Sequence, residues 1–97
     1  MIDFRKKKYV GCGQTTVDNV TATDVPASPA LNRDGIEVVV FDTANHVYFD
    51  PIGTATSADF PIREGNSYDF QCTAAQTLSA LADTAPVVVR YLEYRYV

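Results

Sequence analysis

Two β-type runs, Gly35-Ile-Glu-Val-Val-Val-Phe41 and Asn45-His-Val-Tyr-Phe-Asp50, are separated by only Asp42-Thr43-Ala44. A loop of small residues, Pro51 to Asp59, leads into Phe60-Pro-Ile-Arg-Glu-Gly-Asn66 and then a third run, Ser67-Tyr-Asp-Phe-Gln-Cys72. Clusters of β-branched and aromatic residues, with Gly, Pro, Asn and Asp at the joints, are what strands and tight turns require. The pattern predicts an all-β chain, a small antiparallel β-sandwich or jelly-roll-like single domain with at most one short helix.

The rest of the chain fits that frame. Tyr9 and Val10 are strand formers beside Lys6, Lys7 and Lys8, and lysine at an edge strand discourages unwanted pairing. Gly11-Cys12-Gly13 suggests a bulge or a close backbone approach. Residues 14–23, rich in Thr and Val, predict one or two short strands. In Val25-Pro-Ala-Ser-Pro-Ala-Leu31 two prolines remove two backbone donors, which suits an extended connector or an edge. Asn32-Arg-Asp-Gly35 is a turn. Within 35–41, Ile36, Val38 and Val40 share one face and Glu37, Val39 and Phe41 the other. Apolar character on both faces predicts a strand covered on both sides, or one covered partly by a neighbouring subunit. Ala74 to Asp83 is the only helix-compatible stretch, a short helix or an irregular strand.

The final run, Pro86 to Val97, is the longest strand candidate. Its twelve residues would extend to about 40 Å, against a radius of gyration of about 13 Å for a domain this size. Such a strand either overhangs, offering Tyr94 and Tyr96 to another chain, or bends through a bulge and stays in its own sheet.

At 97 residues the chain is one domain, burying roughly 60–65% of its unfolded surface. No apolar stretch approaches the length of a bilayer span, and no apolar segment follows the N-terminal charges as in a secretory leader. The net charge of −4 is unevenly spread. Residues 1–10 carry Arg5, Lys6, Lys7 and Lys8 against Asp3, whereas the other 87 carry four basic and eleven acidic side chains. An acidic body repels phosphate, so nucleic acid is not an expected partner; the basic head is either a solvated arm or, as the preferred functional reading, docks on protein. Two domain segments follow: a basic N-terminal arm over 1–10 and a β-sandwich over 11–97. Cys12 and Cys72 are too few for a metal cluster. Both fall in predicted strands, where a free cysteine packs as a small hydrophobe, and a bridge between them is the less favoured alternative.

Catalytic patterns are missing. His46 is the single histidine; Asp42 and Asp50 lie four residues to either side and would share its face on a straight strand, but the intervening turn removes Asp42, and a surface or turn histidine is the expectation rather than an oriented base. Asp50, Asp59, Glu64 and Asp69 lie beside turn residues, where carboxylates commonly accept backbone N–H groups. They lack calcium-loop spacing, and the five scattered glycines form no phosphate loop. The chain is therefore expected to be no enzyme, with no metal and no cofactor.

Several segments together are similar to the small all-β virion proteins encoded beside capsid genes in tailed bacteriophages. They are Val25-Pro-Ala-Ser-Pro29, Asn32-Arg33 leading into Ile36–Phe41, Asn45-His-Val-Tyr-Phe49, Thr54 to Gly65, and Val88-Val-Arg-Tyr-Leu-Glu93. The resemblance spans about two-thirds of the chain and marks strands and turns rather than a site. It implies a capsid decoration or cement protein that oligomerises and stabilises the head by binding the major capsid protein. Neck or tail adaptor and fibre-base roles are alternatives, as is a host-carbohydrate-binding module using Tyr48, Tyr68 or Tyr91. It implies a virion location after synthesis in the bacterial cytoplasm, a homo-oligomer and no membrane partner. The departures from the pattern, where partner contacts are expected, are the basic head and the tyrosine-bearing tail. The candidate interface is Arg5, Lys6, Lys7 and Lys8 with Tyr91, Tyr94, Arg95 and Tyr96.

Overall fold

A computed structural model describes residues 6–42 and 44–97. Eight strands are present: β1 (Lys7–Val17), β2 (Thr23–Asp24), β3 (Gly35–Phe41), β4 (Val47–Asp50), β5 (Phe60–Ile62), β6 (Ser67–Phe70), β7 (Ser79–Ala82) and β8 (Val87–Tyr96). They form two four-stranded antiparallel sheets, ordered β1-β8-β3-β6 and β2-β7-β4-β5. Each turn from β1 to β2, β3 to β4, β5 to β6 and β7 to β8 carries the chain from one sheet to the other. The two halves thus lie as layers of one folded ribbon, the eight-stranded jelly-roll arrangement.

The core follows from period-2 alternation. Ile36, Val38, Val40, Val87 and Val89 point inward from one sheet, and Val47, Phe49, Ala80 and Ala82 from the other. Phe70, Leu78, Val17 and Val25 close the ends of the layer. The expected alternation in β3 holds: its even residues are buried, while Val39 and Phe41 face outward and are exposed.

Three local expectations resolve. Residues 74–83 form no helix; Ser79–Ala82 is a strand because β4 and β2 offer ladders on both sides of it. Asn32 takes a left-handed φ of 62° in the turn before β3, a conformation that asparagine tolerates. The last strand does not overhang. β8 lies between β1 and β3, along a molecule whose longest extent is 39 Å, and the irregularity falls in β1, between Tyr9 and Gly11. The edges of this sheet are therefore β1 and β6, not β8.

Candidate interaction surface

Residues directly opposite in an antiparallel pair project to the same face. The register therefore places Cys12, Leu92, Glu37 and Asp69 in one outward row of the β1-β8-β3-β6 sheet, and Gln14, Arg90, Val39 and Ser67 in the next. Phe41 follows in the third, with the Arg90 guanidinium 4.2 Å above its ring. On this solvent side Val39, Phe41 and Leu92 are 38%, 58% and 42% exposed. Between Val39 and Leu92 lies a groove of about 740 Å³ lined also by Cys12, Glu37, Asp69 and Arg90. A second hollow of about 490 Å³ continues from Val39 past Phe41 to Asp42 and Gly65.

One end of the groove is fixed by charge. Lys7 Nζ donates to Glu37 Oε1 and Asp69 Oδ2, each at 2.8 Å, and stands 4.3 Å from the Tyr94 ring centre. The hydrogen bond to Asp69, then that to Glu37, raises the Lys7 pKa above the ordinary lysine range. Tyr94 lies over Gly35, where no side chain blocks its ring, and donates to Asp69 Oδ1 at 2.5 Å. Burial, followed by that carboxylate, holds its phenol far above the usual tyrosine value.

The predicted interface residues are thus divided. Lys6 is exposed, and its carbonyl accepts the Val97 N–H at 3.0 Å. Lys7 is committed to Glu37 and Asp69, and Lys8 lies exposed opposite Arg95. From Lys7 onward the basic head is sheet: the expected boundary at residues 10/11 falls inside β1. Tyr96 is half-buried, its hydroxyl accepting from Gln71 Nε2 at 3.1 Å. Tyr91 packs inward against the core, its pKa raised by burial and then by Glu93. Tyr94, expected to be accessible, is completely buried, because β8 is a central strand whose neighbours cover its ring. Arg5 lies outside the described residues.

Three of the four carboxylates considered as catalytic or metal groups, Asp50, Asp59 and Asp69, have structural partners. Asp50 Oδ1 accepts the Ile52 and Gly53 N–H groups at 2.8 and 2.9 Å, which holds its pKa below the usual carboxylate value. Asp59 accepts the Thr56 N–H at 2.7 Å, and Asp69 serves Lys7 and Tyr94. His46 meets neither Asp42 nor Asp50. Its Nε2 is 2.8 Å from the Tyr48 hydroxyl and 3.8 Å from Asp83 Oδ1, and Tyr48 donates to Asp83 at 3.3 Å. Desolvation, then the Asp83 charge, raises the Tyr48 pKa. Among the described residues no serine, threonine or cysteine side chain is hydrogen-bonded to this trio. Among the described residues no group of three or more metal-ligating side chains occurs. A separate depression of about 510 Å³ between the loops has Asp24 as its sole ionisable lining residue. Cys12 is exposed, not packed as expected for a strand cysteine, because the bulge sets it on the outer face; Cys72 is buried, and both are free thiols.

Sequence reasoning missed Val39, Phe41 and Leu92 as site residues; the two-sided apolar character of β3 was the signal for Val39 and Phe41. No protein-family model, curated protein or solved structure matches the chain.

Proposed function

We propose that this protein is a non-catalytic assembly subunit, a structural component of a tailed-bacteriophage virion that oligomerises on the head and binds the major capsid protein. The observation carrying the reading is the outer face of the β1-β8-β3-β6 sheet. A solvent face should alternate to polar side chains, yet Val39, Phe41 and Leu92 are exposed together beside a groove. Contiguous apolar surface of this kind marks a protein contact. The coat protein as occupant rests on the sequence resemblance, and the jelly-roll architecture, which recurs in viral capsid and lectin domains, adds an analogy at the level of fold. A capsid lattice supplies many identical sites, so a modest contact per subunit becomes tight when several subunits are joined.

Co-sedimentation with heads that lack the protein tests this. Saturable binding is expected at a fixed ratio to coat protein, with loss on Phe41→Asp or Leu92→Asp while the far-ultraviolet spectrum is unchanged. Absence of binding to heads overturns the capsid role; binding at a few copies per particle favours the neck or tail.

One observation favours a second reading, a host-glycan module. Phe60 and Tyr68 are about half exposed with ring centres 5.0 Å apart at the side of the sandwich where β5 and β6 meet. Binding of the isolated protein to host glycans, abolished by Tyr68→Ala, supports that reading over assembly.

A further inference from the structure

Basic side chains are scarce in this protein, eight in 97 residues, yet three of them meet at one corner. Lys8 lies directly opposite Arg95 across the β1–β8 ladder. Lys7 and Tyr9, to either side of Lys8, both reach Glu37 on the outer face, because the irregularity between Tyr9 and Gly11 inverts the alternation there. Lys8 and Arg95 therefore share the other side of the sheet. Lys6 continues the ladder by accepting the Val97 N–H and projects to that side too. Both lysines are exposed, so this side is open at the end of the sandwich.

The arrangement is costly. Like charges directly opposite in an antiparallel pair are destabilising. Among the described residues none of the three cations forms an ion pair. Arg95 is half-buried, and its Nε is covered without meeting an acceptor. A covered donor left in that state is uncommon, and a bound ion is one of its recognised causes. The neighbouring carboxylates are spent elsewhere. Glu93, the preceding residue of β8 on this side, is bound to Arg33. Asp34, one step beyond the Gly35–Tyr94 pair, accepts the Tyr96 N–H at 2.7 Å and pairs with no cation. Three cations against Asp34 leave two positive charges uncompensated.

We propose that this corner is a binding site for a compact, doubly charged oxyanion of the phosphate or sulfate kind. Arg95 holds two of its oxygens edge-on through Nε–H and Nη–H, the fork geometry that suits such groups. Lys8 and Lys6 add point charges. Edge-on binding asks Arg95 only to rotate about its side-chain torsions, and it brings the orphan Nε to an acceptor. The anion also offsets the repulsion between Lys8 and Arg95, and so holds the start of β1 to the end of β8. The rest of the chain is acidic, which repels a long polyanion such as nucleic acid along most of its length. A small anion meets the basic corner alone.

The isolated protein suffices for the test, so its outcome is separate from that of the capsid role. Sodium sulfate, then sodium phosphate, is titrated into isotope-labelled protein at neutral pH, with sodium chloride adjusted to hold the ionic strength constant. Saturable shifts of the Arg95 Nε–H resonance and of the Lys6 and Lys8 amides are expected with both. Acetate, with one charge, is expected to bind at least about tenfold more weakly. Lys8→Gln is expected to weaken sulfate binding at least about tenfold. In chloride alone the same variant is expected to unfold at a higher temperature than wild type, since the opposed like charges are gone. Absence of saturable shifts at constant ionic strength overturns the site. So does sulfate binding that Lys8→Gln leaves unchanged, or acetate binding as tight as that of sulfate, which assigns the corner to a carboxylate. A Lys8→Gln protein less stable than wild type in chloride overturns it as well.

Discussion

Arg33 and Glu93 are 60 positions apart in sequence, yet Arg33 Nη1 donates to Glu93 Oε2 at 3.0 Å with both side chains buried. Arg33 also donates from Nε to the Cys72 carbonyl at 3.0 Å and from Nη2 to the Gln76 carbonyl at 3.0 Å. Glu93 Oε2 accepts the Ala30 N–H at 2.7 Å. One ion pair thus ties the loop before β3 and the loop after β6 to the central strand β8. Removing one partner strands a buried charge, so Arg33→Met is expected to cost about 3–5 kcal/mol. The double change Arg33→Met/Glu93→Leu is expected to recover part of that loss. Urea denaturation of the three proteins checks both outcomes; equal stability of Arg33→Met and wild type refutes the clamp.

Gly35 lies opposite Tyr94, and a β-carbon there would overlap the phenol and press on the Phe70 carbonyl. The ring has no open space to move into, because Lys7 and Tyr9 border it. Gly35→Ala is expected to destabilise by about 3 kcal/mol, as overpacking does. Tyr94→Leu removes the clash with the ring but not the one with the Phe70 carbonyl, so it is expected to lower the cost of the same glycine change without abolishing it, and the two costs do not add. Thermal unfolding of both single variants and the double variant measures the coupling.

The two cysteines make a chemical prediction. Cys12 lies in the exposed groove and Cys72 beneath the Arg33 clamp, where its Sγ is 3.4 Å from the Gln76 carbonyl. A thiol reagent is expected to modify Cys12 rapidly and Cys72 only after unfolding. Arg33→Met is expected to accelerate the Cys72 reaction by loosening the loop that covers it. Mass spectrometry of timed samples reads each site separately, and equal rates at both sites in the native protein contradict the burial described.

Strands were legible from sequence wherever burial imposes a two-residue period: Ile36, Val38 and Val40, or Val87 and Val89, declare their face without reference to anything distant. Sheet order was not. Whether β8 lies at an edge or in the centre depends on whether β1, over 70 residues earlier, finds it, and no local pattern records that choice. Tyr94 was misplaced for this reason, since an aromatic ring in a last strand looks alike whether neighbours cover it or not. The Arg33–Glu93 clamp and the Lys7–Asp69 bond were invisible for the same reason, because long-range charge pairs leave no spacing signal. His46 shows the limit from the other side: Asp42 and Asp50 are its neighbours in sequence, but the carboxylate that approaches it is Asp83, brought alongside by the β4–β7 ladder.

Asp50 ends β4 and holds the loop that follows through the Ile52 and Gly53 N–H groups, which lower its pKa in the folded protein. The unfolded chain keeps a value of about 3.9. A carboxyl with a lowered folded-state pKa contributes stability that is fully present above the unfolded value and lost as pH falls through the folded one. Asp50→Asn retains a carbonyl acceptor but no charge. It is expected to be less stable than wild type at pH 7, with a gap that holds constant down to about pH 5 and closes in stronger acid. Denaturation midpoints across this range supply the measurement. A gap unchanged at the acid end would refute an ionisation origin for the Asp50 contribution, since the charge is what the protonated carboxyl and the amide both lack.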